Sequence, residues 1–197
     1  YVGITQCNVV LANLDNAEMS VARRNEIRGE ALFLRSYYYF MLTQVFGDVP
    51  LFTALVSPEE LKVAKTEKSI ILAQLYSDCE EAAGYLPSNR SAAEAGRATK
   101  GAALALAAKT ALYQKDYNKV IEKTNEIKAL NVYKLMSDYR DNFKKTTQNN
   151  AESVWEIQHT NLQLGLGNFL NQWWMSKKLA GYGFAEAREE LVKAYET

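Results

Sequence analysis

Apolar residues recur at steps of three and four along most of the chain, and the strict alternation that is typical of strands is scarce. Such spacing places the apolar side chains on one face of a helix. The prolines, Pro50, Pro58 and Pro87, fall near breaks between the periodic segments, where they interrupt a helix least. The pattern predicts a predominantly α-helical protein.

The longest periodic segment is predicted to begin after Ser20 and to end at Phe46. Ser20 is a typical N-cap residue, Gly47 follows the segment as a stop, and Pro50 lies just beyond it. From residue 31 onward this segment is apolar nearly all round. A helix of that kind contacts neighbours on several sides when no membrane surrounds it. We therefore expect a central helix.

Two further helices flank this segment in the sequence. One covers the start of the chain up to the Asn/Asp cluster at 13–16, and the other begins near Thr66 and ends at "YLP". Ile70 and Cys79 belong to the face of the later helix that is predicted to point inward. Between the helices, "SPEE" has the pattern of a capping box, with Ser57 as N-cap and Glu60 as its partner.

Residues 98–130 are predicted to form two helices joined by a short polar turn at Lys115 and Asp116. Small residues on the first helix permit a close approach of the second; they are Gly101, Ala102, Ala105 and Ala108. Tyr117, just past the turn, is expected to fill the space between the helices. The arrangement resembles a tetratricopeptide (TPR) helix pair.

The end of the chain has no clear period. "ESVWEIQHT" alternates like a short extended segment, and "NLQLGLGNFLNQWWMSKKLAGYGF" carries glycines and aromatic residues irregularly. The fold class we predict is all-α: an irregular TPR-like helix-turn-helix stack with a short extended segment and an irregular C-terminal stretch. We expect residues 1–197 to form one domain that is truncated at both ends, since Tyr1 is not an initiator and the chain stops directly after a helical pattern.

Composition excludes several classes of function. Lys plus Arg and Asp plus Glu number 23 each, so no basic surface for nucleic acid is indicated. His159 is the one histidine, and the cysteines, Cys7 and Cys79, form no pair at ligand spacing. We predict no metal site and no cofactor. Both cysteines are expected to be buried thiols, and no apolar run reaches the ~20 residues of a membrane span.

One motif carries a family resemblance: "RGEALFLRSYYYFMLTQVFGDVPLF" resembles the SusD/RagB family. The family pattern is a helix with Gly-Glu-Ala, Leu-Arg and two or three aromatic residues, closed by Phe-Gly-Asp-Val-Pro. The residues that fit it are Gly29, Glu30, Ala31, Leu34, Arg35, Tyr37, Tyr38, Phe40, Phe46, Gly47, Asp48, Val49 and Pro50. "RATKGAALALAAKTALYQKDYNKVIEKTNEI", "YKLMSDYRDNF" and "NNAESVWEIQ" follow in the family's order.

The resemblance implies a cell-surface protein without catalytic activity. Such a protein binds oligosaccharides or polysaccharides and delivers them to a SusC-like TonB-dependent transporter. It implies a location at the extracellular face of the outer membrane, through a lipid anchor that this chain does not contain. Two alternatives remain open: a TPR-like scaffold that binds proteins and no sugar, and a helical glycoside hydrolase.

Two clusters of aromatic residues are candidates for sugar contact. Three successive helical residues, 37–39, span about 200° around the axis and cannot form one flat surface, so we interpret those tyrosines as core. Arg35 is interpreted as a structural ion pair or a tie from helix to loop, near Asp48. The predicted glycan contacts lie instead in the irregular stretch, where rings stand beside side-chain amides. They are Trp173, Trp174, Asn171, Gln172 and Tyr182.

Overall fold

The protein is described here by a computed structural model that covers residues 1–159, 167, 173–184 and 189–195. It divides into two compact units, Tyr1–Glu156 and Ile157–Thr197. Five helices build the first unit: α1 (Val2–Asn13), α2 (Val21–Phe46), α3 (Lys68–Tyr85), α4 (Lys100–Tyr113) and α5 (Tyr117–Ala129). The second unit contains the short helix α6 (Glu189–Tyr195).

The all-α prediction is confirmed. In the residues that the structure covers, β-structure is limited to an isolated antiparallel bridge between Val49 and Thr66. Within "ESVWEIQHT", residues 152–159 carry no hydrogen-bonded strand.

Local chemistry sets the ends of α2 where the sequence predicts them. The side chain of Ser20 accepts a hydrogen bond from the backbone N–H of Arg23 at 3.3 Å. At the other end Gly47 has φ 69°, a left-handed value that favours glycine, and its N–H donates to the carbonyl of Thr43. The longest described helix therefore begins at a serine N-cap and ends at a glycine C-cap.

The core of the first unit lies between consecutive helices. α2 packs against α1 and α3, α3 against α4, and α4 against α5. Large side chains from α2 and α3 meet small ones from α4 in one buried cluster, and the small ones include Ala102, Ala103, Ala107 and Ala111. Since alanines occupy so little space, α4 packs closely enough to be covered on more than one side.

Three expectations about burial are wrong. The last turns of α2 are open, with Val45 71% exposed and Phe46 67% exposed, so neighbours on several sides exist only for the earlier part of this helix. Ile70 is 54% exposed because it lies in the first turn of α3, which starts at Lys68. Tyr117 is also exposed and does not fill the space between α4 and α5.

At Gly29, α2 lies close to the end of α3. A Cβ at this position would lie 2.9 Å from Cγ of Leu86, 3.1 Å from Cβ of Tyr85 and 3.2 Å from the carbonyl oxygen of Ala82. The carbonyl belongs to helix backbone and cannot turn aside. The absence of a side chain at Gly29 thus offsets its poor helix propensity, as the sequence indicates.

Tyr39 joins α2 to the segment that follows it. Its side chain is 1% exposed, and its hydroxyl accepts from the N–H of Phe52 at 2.6 Å and donates to the carbonyl of Phe52 at 3.4 Å. Burial is the main cause that raises the pKa of Tyr39 to about 12. Tyr37 is half-buried, whereas Tyr38 lies partly exposed beside Gly3. Core packing is therefore confirmed for Tyr39 and is incomplete for Tyr38.

The packing at Gly29 predicts opposite signs for two glycine substitutions. We expect Gly29→Ala to lower the free energy of unfolding by roughly 1 kcal/mol, because crowding of about 1–3 kcal/mol exceeds the gain in helix propensity of about 1 kcal/mol. Gly84→Ala, in α3 with no atom within 4 Å of an added Cβ, should raise it by about 0.5–1 kcal/mol. Urea denaturation measures both. Stabilisation by Gly29→Ala would contradict the close approach.

The hydroxyl of Tyr39 predicts a pH dependence. Its pKa in the folded protein lies above the ordinary value of 10.0, at about 12. The protonated hydroxyl therefore contributes fully to the free energy of unfolding below pH 10, and this contribution is lost as pH rises from 10 to 12. Tyr39→Phe leaves the N–H of Phe52 without its partner and should cost about 1–2 kcal/mol at neutral pH. Urea denaturation across this pH range should show a shallower decline for the variant. Tyr139→Phe, at an exposed ring, is the control, and identical slopes for Tyr39→Phe and wild type would refute the assignment.

Candidate functional site

Glu30, an acidic residue of the aromatic motif, forms ion pairs that hold parts of the fold together. Nε and Nη2 of Arg97 donate to the two carboxylate oxygens of Glu30 at 2.8 and 2.7 Å, and Nη2 of Arg90 donates to Glu30 at 2.6 Å. Arg90 also bonds to Glu26. This network attaches the connector 88–97 to α2. Both arginines of the network therefore pair with carboxylates of the protein itself.

Arg35 is buried and has partners on three sides. Its Nε donates to Oδ2 of Asp78 at 2.9 Å, and its Nη1 donates to Oδ1 of Asn8 at 2.9 Å and to the carbonyl of Thr53 at 2.7 Å. Burial raises the pKa of Asp78, and the nearby guanidinium opposes that rise. The structural interpretation of Arg35 is confirmed, but its ionic partner is Asp78.

Asp48, the partner that the sequence suggests for Arg35, has another role. Its Oδ1 accepts from the backbone N–H of Lys68 at 2.9 Å, at the start of α3. A carboxylate in this place satisfies a helical N–H that lacks a partner within the helix. Asp48 therefore fixes the beginning of α3 and makes no bond to the arginine.

Trp155 also belongs to the core. Its indole Nε1 donates to the carbonyl of Gly96 at 2.9 Å, and its ring meets Phe33 at 5.0 Å and Tyr37 at 5.1 Å between centroids, both edge to face. Phe33 and Tyr37 of α2 thus pack against Trp155 rather than offering their rings to a ligand.

Residues 173–184 of the second unit form a loop, here called the ring loop, that is closed by backbone hydrogen bonds. The N–H of Phe184 donates to the carbonyl of Trp173 at 3.0 Å, and that of Gly183 donates to the carbonyl of Met175 at 3.1 Å. A Cβ at Gly181 would overlap the carbonyl of Met175, so glycine is required there. The ring loop therefore returns on itself closely.

The ring loop presents its aromatic residues to solvent. Trp173, Trp174 and Tyr182 are 43%, 55% and 50% exposed. Tyr182 stacks on Phe184, with ring centroids 5.4 Å apart and planes 19° from parallel. Three of the five predicted contact residues thus occupy one loop, whereas Asn171 and Gln172 lie outside the described residues.

Phe184, which the sequence did not single out, is 68% exposed. The aromatic pair in "YGF" was visible in the sequence, but strand alternation could not predict its stacking, because Gly183 between the rings has φ 62°, a left-handed value. Each ring of the stacked pair is still at least half exposed, and exposed apolar ring faces suit the C–H faces of sugars.

The remaining chemistry of the described residues is sparse. No group of three His, Cys, Asp or Glu side chains in the residues that the structure covers could hold a metal ion. Cys7 and Cys79 are free and buried, as expected. Burial raises the pKa of Cys7 to about 11 and that of Cys79 to about 12, so at neutral pH both are thiols rather than nucleophilic thiolates. Of the helices that the structure describes, none has the length and hydropathy to cross a membrane.

The sequence matches a family model and a known protein. A SusD-like family model described as "Starch-binding associating with outer membrane" matches residues 1–112. SusD-like protein P25 of Formosa agariphila is 29% identical over 156 residues, which cover 78% of this chain and 30% of that protein.

Solved structures resemble this one closely. A SusD-like carbohydrate-binding protein from Bacteroides fragilis has a TM-score of 0.82 and 34% identity, and the match covers 91% of this chain and 35% of that one. A laminarin-binding SusD-like protein has a TM-score of 0.79 and 32% identity, covering 82% and 37%. Surface glycan-binding protein A from Bacteroides uniformis has a TM-score of 0.77 and 25% identity, covering 88% and 38%.

The chain spans about a third of the length of each of these proteins. The family match nevertheless extends over more than half of the chain, and it includes all of α2 with its aromatic motif. This chain belongs to the SusD-like family.

Proposed function

We propose that the protein binds glycans at the cell surface and delivers them to a SusC-like TonB-dependent transporter. The family match over residues 1–112 carries this proposal, since the family is described as starch-binding and associated with the outer membrane. One similar structure is named as a laminarin-binding SusD-like protein and another as a surface glycan-binding protein. The 197 residues would then be part of one larger SusD-like domain.

The proposed glycan site is the ring loop. Trp173, Trp174 and Tyr182 would stack on sugar rings, and Asn171 and Gln172 would hydrogen-bond to hydroxyl groups. Backbone hydrogen bonds already close the loop. A closed loop loses less conformational freedom on binding than an open one, and more of the contact energy then appears as affinity.

The proposed location is the extracellular face of the outer membrane, with attachment through a lipid anchor outside this chain. The description of the family as associated with the outer membrane supports this location. We further propose that the protein has no catalytic activity, no cofactor and no nucleic-acid partner. The family description names starch binding and no reaction, which supports the first point. The 23 basic and 23 acidic residues balance, so the chain has no net positive charge that would attract a nucleic acid.

The ring loop predicts a specific loss of binding. In the full-length protein, Trp173→Ala with Trp174→Ala should weaken glycan binding about tenfold or more, because each lost ring removes stacking worth about 0.5–1.5 kcal/mol beyond its area. Isothermal titration against neutral and charged glycans measures the change. Tyr139→Ala with Phe143→Ala, which removes another exposed ring pair, is the matched control and should leave affinity unchanged.

Three outcomes separate the alternatives. Equal losses in the tryptophan variant and its control, with unchanged melting temperatures, would remove the site from the ring loop. No binding to any glycan, together with no co-purification of a TonB-dependent transporter, would refute the function. Binding of another protein partner, with neither glycan binding nor co-purification of a TonB-dependent transporter, would favour the TPR-like scaffold.

A further inference from the structure

The ring loop carries positive charge as well as rings. Lys177 and Lys178 are both exposed and stand in a single turn, Lys177–Leu179, at its tip. The side chain of Ser176 accepts from the N–H of Lys178 at 3.2 Å and so starts this turn. Two ammonium groups are thereby fixed to a short, ordered piece of backbone.

Both lysines lie in a part of the chain that has no acidic residue. No Asp or Glu occurs from 157 to 185, although the whole chain has as many acidic as basic residues. In the described part of the chain, no ion pair joins Lys177 or Lys178 to a carboxylate. Some exposed lysines have such partners, for example Lys144 with Asp141 at 2.6 Å and Lys193 with Glu189 at 2.7 Å, and others, such as Lys62 and Lys65, have none among the described ion pairs. What distinguishes Lys177 and Lys178 is that the sequence around them has no acidic residue. The local excess of positive charge is therefore uncompensated by described residues.

The backbone links this charged turn to the stacked rings. The N–H of Ala180 donates to the carbonyl of Lys177 at 3.1 Å, and that of Gly181 donates to the carbonyl of Ser176 at 3.2 Å. The chain that leaves this turn leads directly into Tyr182. A ligand that covers the ring pair therefore has cationic groups within a few residues of it.

We propose that the ring loop binds anionic glycans, with Tyr182 and Phe184 stacked on a sugar face and Lys177 and Lys178 paired with its carboxylate or sulfate groups. This inference rests on the proposed function and narrows its ligand class. A neutral sugar would use the rings alone and gain nothing from the lysines. A polymer with a charge on each repeat would use both, and long-range attraction would speed its capture.

The test compares matched ligands on the full-length protein. Dextran sulfate is compared with dextran, and polygalacturonate with its methyl ester, so that only the charge of the polymer differs. Affinity is measured by titration at about 0.01 M and about 0.15 M ionic strength, between which the screening length falls from ~30 Å to ~8 Å. Lys177→Gln with Lys178→Gln removes the proposed contacts. Lys62→Gln with Lys65→Gln, at two other exposed lysines, is the control.

The wild-type protein should bind a charged polymer more tightly than its neutral counterpart and should lose affinity as salt rises. The variant at 177 and 178 should bind the charged polymer about five- to tenfold more weakly and any neutral glycan unchanged. The control pair should have no effect. If dextran sulfate binds and polygalacturonate does not, the ligand's anionic group is a sulfate; in the reverse case it is a carboxylate. Either result supports the inference.

Two results would overturn it. Glycan binding that is limited to neutral polymers, or binding of charged ones that the variant leaves unchanged, would reject the anionic ligand while the proposed function stands. An absence of binding to every glycan would reject both the inference and the function.

Discussion

A buried guanidinium organises the first unit. Arg35 is only 5% exposed, and a charge in such a place requires partners around it. Asn8 from α1, Asp78 from α3 and the carbonyl of Thr53 provide them. Two helices and a connecting segment are therefore tied to α2 at a single point. Removal of one partner from a buried charged pair typically costs about 3–5 kcal/mol, so the relative positions of these elements depend strongly on this contact.

This constraint explains why the aromatic motif contributes to structure. Tyr39 bonds the same post-helix segment that Arg35 holds through Thr53. Glu30, five residues before Arg35, accepts from Arg90 and Arg97 and attaches the connector before α4. Three residues of the motif thus connect α2 to other segments of the first unit by hydrogen bonds and ion pairs. Arg35, Tyr39 and Glu30 are bonded to protein groups, and the glycan site proposed above lies in the second unit.

The sequence predicts best what local chemistry decides. Ser20 and Gly47 set the ends of α2 because a cap and a left-handed residue act on adjacent backbone. The partner of Arg35 could not be found in this way, since Asp78 is 43 positions away and only packing brings them together. Periodicity also failed at Val45 and Ile70, because an apolar residue near a helix end is buried only if a neighbour extends that far.

The candidate site was predictable to a lesser degree. Rings next to amides indicated the ring loop, and the structure brings Trp173, Trp174 and Tyr182 into it. Its closure and the stacking of Phe184 on Tyr182 depend on backbone pairing that no periodicity reveals. Irregular segments follow such pairing more than side-chain pattern, so their residues can be named from the sequence but their geometry cannot.

The central claim is that α2 with its aromatic motif is scaffold and that the ring loop contacts the glycan. Hydrogen–deuterium exchange of the full-length protein, with and without a bound glycan, tests it most directly. The account predicts slower amide exchange in residues 173–184 on binding and no change in residues 35–52. Slower exchange across residues 35–52 with residues 173–184 unchanged would contradict it.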